Sequence, residues 1–203
     1  MRRRIGIAVL VAAGLFNHAA AWAADQYAID EVHTTVGFSV PHLVISRVHG
    51  NFRQLSGAIV YDETDVTKSS VNVTIKASSI DTGNEKRDQH LRSPDFFDAE
   101  KYPELTFKSG RIERQGDGYL CVGTLSLHGV SKEIHIPFTI TGKVRDPWGK
   151  TRIAIEASLT LNPQDYGVSW NKTMETGGVL VGDEIKIELN VEAIQQEAAG
   201  AAS

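Results

Sequence analysis

The sequence predicts a mainly β protein in which an antiparallel sheet closes into an extended up-and-down barrel. Three observations support this: four segments alternate apolar and polar residues, tight-turn residues separate many segments, and long helical patterns are nearly absent after residue 23. Because successive side chains of a strand point to opposite faces, each alternating segment presents one apolar face. A long sheet of this kind hides that face against a second sheet or by closing, and a closed sheet can enclose a cavity.

Strand-like segments follow one another along the chain, and short turns connect many of them. In order, they cover residues 27–32, 34–40, 48–61, 71–77, 105–113, 119–127, 131–144, 151–161 and 183–193. The turn residues are Asp117-Gly118, His128-Gly129, Asp146-Pro147-Trp148-Gly149 and Gly177-Gly178. Many strands joined by tight turns form a meander, which closes readily into a barrel.

A short helical insert near residues 83–98 interrupts the strands. Residues 82–85 fit a capping box with Thr82 as the N-cap, and residues 87–92 would form the helix. A second turn follows, led by a proline at its first position, and it carries the paired phenylalanines Phe96 and Phe97. Such an insert is suited to close the mouth of a barrel, and it equally fits the lid of an ordinary core.

The amino terminus has the layout of a secretory signal peptide. Three arginines at positions 2–4 precede an apolar run over residues 5–16, and Ala21-Trp22-Ala23 offers the cleavage site. The apolar run is shorter than the roughly 20 residues that span a bilayer. We therefore expect a signal peptide over residues 1–23, a periplasmic protein without a stable membrane anchor, a barrel domain over residues 24–195 and a loose tail over residues 196–203.

The charge and cysteine content narrow the function classes. Cleavage removes three arginines, so 18 basic residues face 25 acidic ones and the net charge moves from -4 to -7. An acidic chain without a basic cluster is not expected to bind nucleic acid. The single cysteine, Cys121, excludes an internal disulfide, and its place in an alternating segment predicts a buried, inert thiol.

Several motifs in the expected order resemble the YceI-like periplasmic lipid-binding family. They read VGFSVPHL at residues 36–43, RDQHLRSPDFFD at 87–98 and GTLSLHGV at 123–130. The resemblance implies a lipocalin-like barrel whose interior holds the chain of a polyisoprenoid, an isoprenoid quinone or a fatty-acid-like amphiphile, with no resident cofactor. The chain departs from the family at Pro163, where an arginine is often found two residues before Asp165.

Candidate ligand contacts follow from the phase of the alternating segments. The apolar lining candidates are Phe38, Val40, Phe52, Val73, Ile75, Phe96, Phe97, Phe107, Leu125, Leu127, Phe138, Leu159, Leu161, Ile187 and Leu189. The candidates for contact with a lipid head group are His42, Arg87 and Arg92. The same apolar set also describes a filled core, because a small barrel holds either packed side chains or one small ligand.

The sequence favours a lipid carrier without catalytic residues or a metal. It has no HExxH or CxxC pattern and no Gly-x-Ser-x-Gly turn. Two alternatives stay open: a metal-dependent hydrolase that uses His33, His42 and His49, and a filled-core module that meets another envelope protein. Trp148, Tyr166 and Trp170 at turn positions also allow a homodimer, since aromatic residues are enriched at interfaces.

Overall fold

The computed structural model describes residues 24–43, 45–171 and 181–197. The expected signal peptide, the Gly177-Gly178 turn and residues 198–203 of the expected tail lie outside the described residues. No helix in the described part of the chain has the length and hydropathy to cross a membrane.

Most of the described chain is β-strand. The strands are β1 (Asp25–Ile29), β2 (Thr35–His42), β3 (Ser46–Phe52), β4 (Leu55–Tyr61), β5 (Ser70–Lys76), β6 (Ile80–Asp81), β7 (Glu104–Gln115), β8 (Gly118–Leu127), β9 (Val130–Arg145), β10 (Thr151–Leu161) and β11 (Ile185–Gln195). The α-helix is α1 (Glu85–Arg92), and three 3-10 turns cover Val66–Lys68, Ala77–Ser79 and Pro163–Tyr166.

The sheet closes on itself through its first and last strands. Its order is β1-β4-β5-β7-β8-β9-β10-β11, and β1 pairs with β11 to complete a ring of eight strands within the described residues. Every pairing in the ring is antiparallel, and most join strands that follow each other in the chain. The structure therefore confirms the predicted mainly β, up-and-down barrel with one short helix.

The two ends of the barrel differ because β11 shares one of its edges between two strands. Residues 193–195 of β11 pair with β1, whereas residues 186–190 pair with β2. The β2–β3 hairpin and the short β6 then extend the sheet at that end. Since the diameter of a barrel grows with its strand number, the extra hairpin widens this end.

The interior is filled at one end and hollow at the other. The filled half is the cluster around Tyr27, Ile153 and Ala193, whose side chains are 0–1% exposed. The hollow half is bounded by β2, β3 and α1, with a smaller buried cluster that includes Phe52, Ile80 and Tyr166. Cys121 is buried in the filled half, as expected from its position in an alternating strand.

Two local expectations were wrong. Residues 48–61 form two strands, β3 and β4, because β3 pairs with β2 and β6 while β4 pairs with β1 and β5. The helix N-cap is Asn84, whose side chain accepts from the Arg87 amide, and Thr82 lies outside the helix. Thr82 instead donates its backbone amide to the buried carboxylate of Asp88, at 3.0 Å.

Candidate functional site

An apolar cavity of about 250 Å³ occupies the hollow half of the barrel. Its wall combines inward-facing residues of the strands with side chains from α1 and the turn after it. Inward residues such as Phe38, Val40 and Leu161 are only partly buried, whereas the residues at the centre of the filled half, around Tyr27 and Ile153, are close to fully buried. The inward side chains of the hollow half therefore border a void in addition to contacting one another.

The wall contains all but one of the apolar residues that the sequence predicts there. Those at the cavity are Phe38, Val40, Phe52, Val73, Ile75, Phe96, Phe97, Phe107, Leu125, Leu127, Leu159, Leu161, Ile187 and Leu189. Their contact with a ligand stays a prediction. The period-two pattern was informative because each strand has one face toward the barrel interior.

Phe138 is the exception, since it does not line the cavity. It packs against the filled half and stacks on Tyr119, with ring centroids 5.4 Å apart. Alternation identifies which face of a strand a residue lies on, but it does not tell where along the barrel axis the residue lies. Phe138 lies in the part of β9 that packs against the filled half, opposite Ala157 of β10.

Two aromatic side chains of the helical insert, Phe96 and Phe97, form part of the cavity wall. Phe97 contacts Phe52 edge-on, at 5.7 Å between ring centroids. Phe96 lies 5.1 Å from the Trp170 ring, and both rings also contact His90. The insert thus contributes to the cavity wall, as its paired phenylalanines predict.

The charged residues of α1 hold the helix on the barrel. Arg87 donates to the Thr82 hydroxyl at 2.7 Å and to its carbonyl at 2.9 Å. Arg92 donates to the carbonyls of Ser78 and Ile80 at 2.8 and 3.0 Å. Both guanidinium groups therefore satisfy backbone carbonyls of the chain that precedes the helix.

None of the three head-group candidates lines the cavity. Arg87 and Arg92 are engaged with the backbone, and His42 ends β2, where it forms an isolated bridge with Val181. The structure brings other polar residues to the cavity instead: Thr34, Gln164, Tyr166, Ser169, Asn171 and Asp183. Most of these residues follow β10 in a segment without strand periodicity. The sequence pattern therefore does not indicate which of their side chains face the cavity.

Three exposed residues of the cavity wall mark its mouth. Gln164, Ser169 and Asp183 are exposed, and Gln164 donates to Asp183 at 2.7 Å between Nε2 and Oδ1. Tyr166 lies deeper and is 2% exposed. At the opposite end of the cavity, Ile136 belongs both to its wall and to the filled cluster, so it forms part of the floor.

The three amino-terminal histidines do not form one site. His33 precedes β2 and His42 ends it, so they lie at opposite ends of a strand about 23 Å long. His49 pairs with Ser39 on the face that points away from the cavity. The structure therefore does not support the metal-dependent hydrolase that uses these residues.

Among the residues that the structure describes, one group of potential metal ligands, Asp30, His33 and Glu192, is close enough to hold a cation. Arg152 already lies between its carboxylates: Nη1 donates to Asp30 at 2.8 Å and also contacts Glu192. A third carboxylate, Asp146, accepts from the Arg152 Nε at 2.8 Å. The guanidinium thus supplies the positive charge that these acidic groups require.

Comparisons with known proteins agree with this architecture. The YceI-like domain model matches residues 27–193. A UPF0312 protein of Photorhabdus laumondii is 38% identical over 159 residues, which cover 77% of this chain and 83% of that protein. The crystal structure of a Campylobacter jejuni YCEI protein is 35% identical with a TM-score of 0.67, covering 83% of this chain and 96% of that chain.

A more distant structure shares the fold. It is described as a polyisoprenoid binding domain from Saccharophagus degradans, implicated in plant cell wall breakdown. It is 16% identical with a TM-score of 0.60, and the match covers 84% of this chain and 98% of that one. Together with the match over residues 27–193, the barrel and its order of strands establish that this chain belongs to the YceI-like family.

Proposed function

We propose that the protein binds an isoprenoid or another long-chain lipid in its cavity and carries it through the periplasm without catalysing a reaction. The observation that supports this best is the cavity of about 250 Å³ with an almost wholly apolar wall. An empty apolar cavity forfeits packing contacts, and an apolar ligand restores them. The lipid ligand that the family resemblance implies has the apolar tail that such a wall favours.

Binding energy would come from the tail of the lipid. Burial yields roughly 0.8 kcal/mol per CH₂, so an isoprene unit contributes about 3 to 4 kcal/mol before ordering costs. A cavity of roughly 150 Å³ holds one benzene molecule, so the present volume holds about ten carbons, or two isoprene units. A longer tail would extend through the mouth or require the barrel to widen.

The comparisons support the same ligand class. The Saccharophagus degradans domain that shares the fold is described as polyisoprenoid binding. The apolar lining of the present chain offers the environment that such a tail requires. We expect a few polar contacts with the head group, rather than the apolar wall, to select the lipid.

Direct extraction tests the proposal. The protein is expressed with its own leader, purified without detergent, extracted with organic solvent and analysed by mass spectrometry. We expect a co-purified lipid, or saturable uptake of a fluorescent long-chain lipid by the delipidated protein. An empty extract together with no uptake contradicts the proposal.

A pair of adjacent substitutions locates the binding. Leu125→Glu places a charge in the cavity wall, where it lowers the affinity for an apolar tail. Thr124→Glu adds the same charge to the exposed face of the same strand and serves as the matched control. We expect loss of uptake only in the first variant, with circular dichroism and thermal unfolding confirming that both fold.

The periplasmic location has its own test. The expected cleavage after Ala23 gives a mature chain that begins at Ala24. We expect the mature mass in the fraction released by osmotic shock. A full-length chain in the cytoplasmic fraction contradicts export.

A further inference from the structure

The boundary between the hollow and the filled half crosses neighbouring strands at matching positions. On β9, Ile134 and Ile136 line the cavity, whereas Phe138, the next inward residue, packs in the filled half. On β10 the same change falls between Leu159 and Ala157, and Ala157 is the register partner of Phe138. The cavity therefore ends inside the barrel, at a floor made of strand side chains.

Ile136 is the residue of this floor that belongs to both halves. Among the described residues, it alone is a buried member of the filled cluster and also part of the cavity wall. Its register partner on β8 is Cys121, which is 4% exposed in the filled cluster and does not line the cavity. Directly opposed side chains on one face of a sheet lie about 5 Å apart. Ile136 thus separates the cavity from the buried space around Cys121.

The same truncation leaves different voids at the floor and in the filled half. Ile136→Ala removes three side-chain carbons from the cavity wall, so the new void joins the cavity and an apolar tail can fill it. Ile153→Ala removes the same three carbons from a side chain that is 1% exposed and does not line the cavity. That void is sealed among the packed side chains of the filled half. Only the truncation at Ile136 is therefore expected to change what the cavity accepts.

We propose that Ile136 sets the longest apolar tail that the cavity buries, so that the protein selects lipids by tail length. This inference rests on the proposed function, since it assigns the length specificity of the same cavity. A tail gains affinity with every carbon that enters the cavity until its end reaches Ile136. Each further carbon is then left outside, where it adds no contact with the wall.

The test measures affinity against tail length with straight-chain primary alcohols, from hexanol to hexadecanol. Each alcohol displaces a fluorescent long-chain lipid from delipidated protein, at concentrations below its solubility limit. We expect affinity to rise about fourfold for each added CH₂ and then to level off at a break point. For a cavity of about 250 Å³, the break point of wild type should lie near about ten carbons.

Substitutions at Ile136 should move the break point in both directions. In Ile136→Ala it should lie about two to three carbons higher, because the tail occupies the space of the three removed carbons. In Ile136→Phe it should lie lower, because the larger ring takes up part of the cavity. Ile153→Ala is the matched control and should keep the break point of wild type. Circular dichroism and thermal unfolding establish that each variant folds, and Ile136→Phe carries the test if Ile136→Ala does not.

A second measurement separates a change in tail length from a general loosening of the barrel. An alcohol three carbons longer than the wild-type break point should raise the melting temperature of Ile136→Ala more than that of Ile153→Ala, because only the first void is open to the tail. Equal increases in the two variants contradict a floor at Ile136.

The outcomes distinguish this inference from the proposed function. An unchanged break point in the Ile136 variants that fold, or affinity that rises through hexadecanol in wild type without a break, overturns the inference while lipid binding stands. A shift of equal size in Ile153→Ala overturns it as well, because the limit would then not lie at the floor. Failure of wild type to bind any of the alcohols, with no co-purified lipid, overturns both.

Discussion

The ring of Phe38 lies across Gly50, its cross-strand partner in the β2–β3 hairpin. A Cβ atom at Gly50 would lie 2.4 Å from the Phe38 Cζ, and it would also lie 2.8 Å from the Thr82 Cγ2. The Phe107 ring likewise covers Gly123 of the neighbouring strand, diagonally rather than as its register partner, and a Cβ there would lie 2.5 Å from the ring Cζ. These glycines let aromatic rings lie close to the sheet in the cavity wall.

Replacing Gly50 with alanine should therefore change the cavity. The added methyl group pushes the Phe38 ring away from the sheet, and we expect weaker lipid uptake with a loss of about 1 to 3 kcal/mol in the free energy of unfolding. Lipid titration and urea denaturation measure the two effects. Gly110→Ala is the control, because a Cβ there meets only the Val122 carbonyl oxygen, at 3.6 Å. Unchanged uptake in Gly50→Ala contradicts this role of the glycine.

The filled and hollow halves should respond differently to the same truncation. Ile153 is 1% exposed in the filled half, so Ile153→Ala should cost about 2 to 5 kcal/mol of stability. Ile187 borders the existing cavity and is only partly buried, so its truncation removes fewer packing contacts. We expect Ile187→Ala to cost less than half as much in urea denaturation at equal m-values. Equal losses would argue that the interior around Ile187 is packed in solution.

The thiol of Cys121 should be inert in the folded protein. Burial raises its pKa to about 11, and the residue is 4% exposed. Because the thiolate is the reactive form, we expect no labelling by a disulfide reagent at pH 8 until denaturant unfolds the barrel. The labelling rate should then follow global unfolding. Rapid labelling of the native protein would show that the filled half opens locally.

The barrel was predictable because period-two alternation depends only on local strand geometry. Residues such as Phe38 and Leu125 face the interior for that reason, and the motif resemblance indicated that the interior is hollow. Alternation does not report the position along the axis, so Phe138 was expected in the cavity and lies in the filled half.

The polar part of the site was less predictable. Tyr166 ends a 3-10 turn, where neither a helical nor a strand period applies, and its burial depends on distant residues such as Phe52 and Leu105. Asn84 and Thr82 are both good N-cap residues, and the choice between them depends on the buried Asp88 that Thr82 contacts. The burial of Tyr166 and the choice of the N-cap residue are therefore determined by tertiary contacts rather than by the local sequence.

Arg152 contacts three carboxylates, those of Asp30, Asp146 and Glu192. We expect Asp30 to contribute most to the way the stability of the fold depends on acidic pH. The Asp30 carboxylate accepts from the His33 Nδ1 and from Arg152, each at 2.8 Å, and from the Val32 amide at 3.1 Å. These hydrogen bonds, that of His33 foremost, lower the pKa of Asp30 from 3.8 to about 2.

A carboxyl group with a lowered folded pKa stabilises the native state above its unfolded pKa, and this contribution is lost as the pH falls through the folded value. For Asp30 the loss should therefore begin near pH 4 and be complete just below pH 2. We expect Asp30→Asn to lower the melting temperature at pH 6 and to flatten its decline between pH 4 and 2. Asp117→Asn, in an exposed turn, is the control and should parallel wild type. An acid profile of Asp30→Asn that also parallels wild type would show that Asp30 is not held in its charged form by this network.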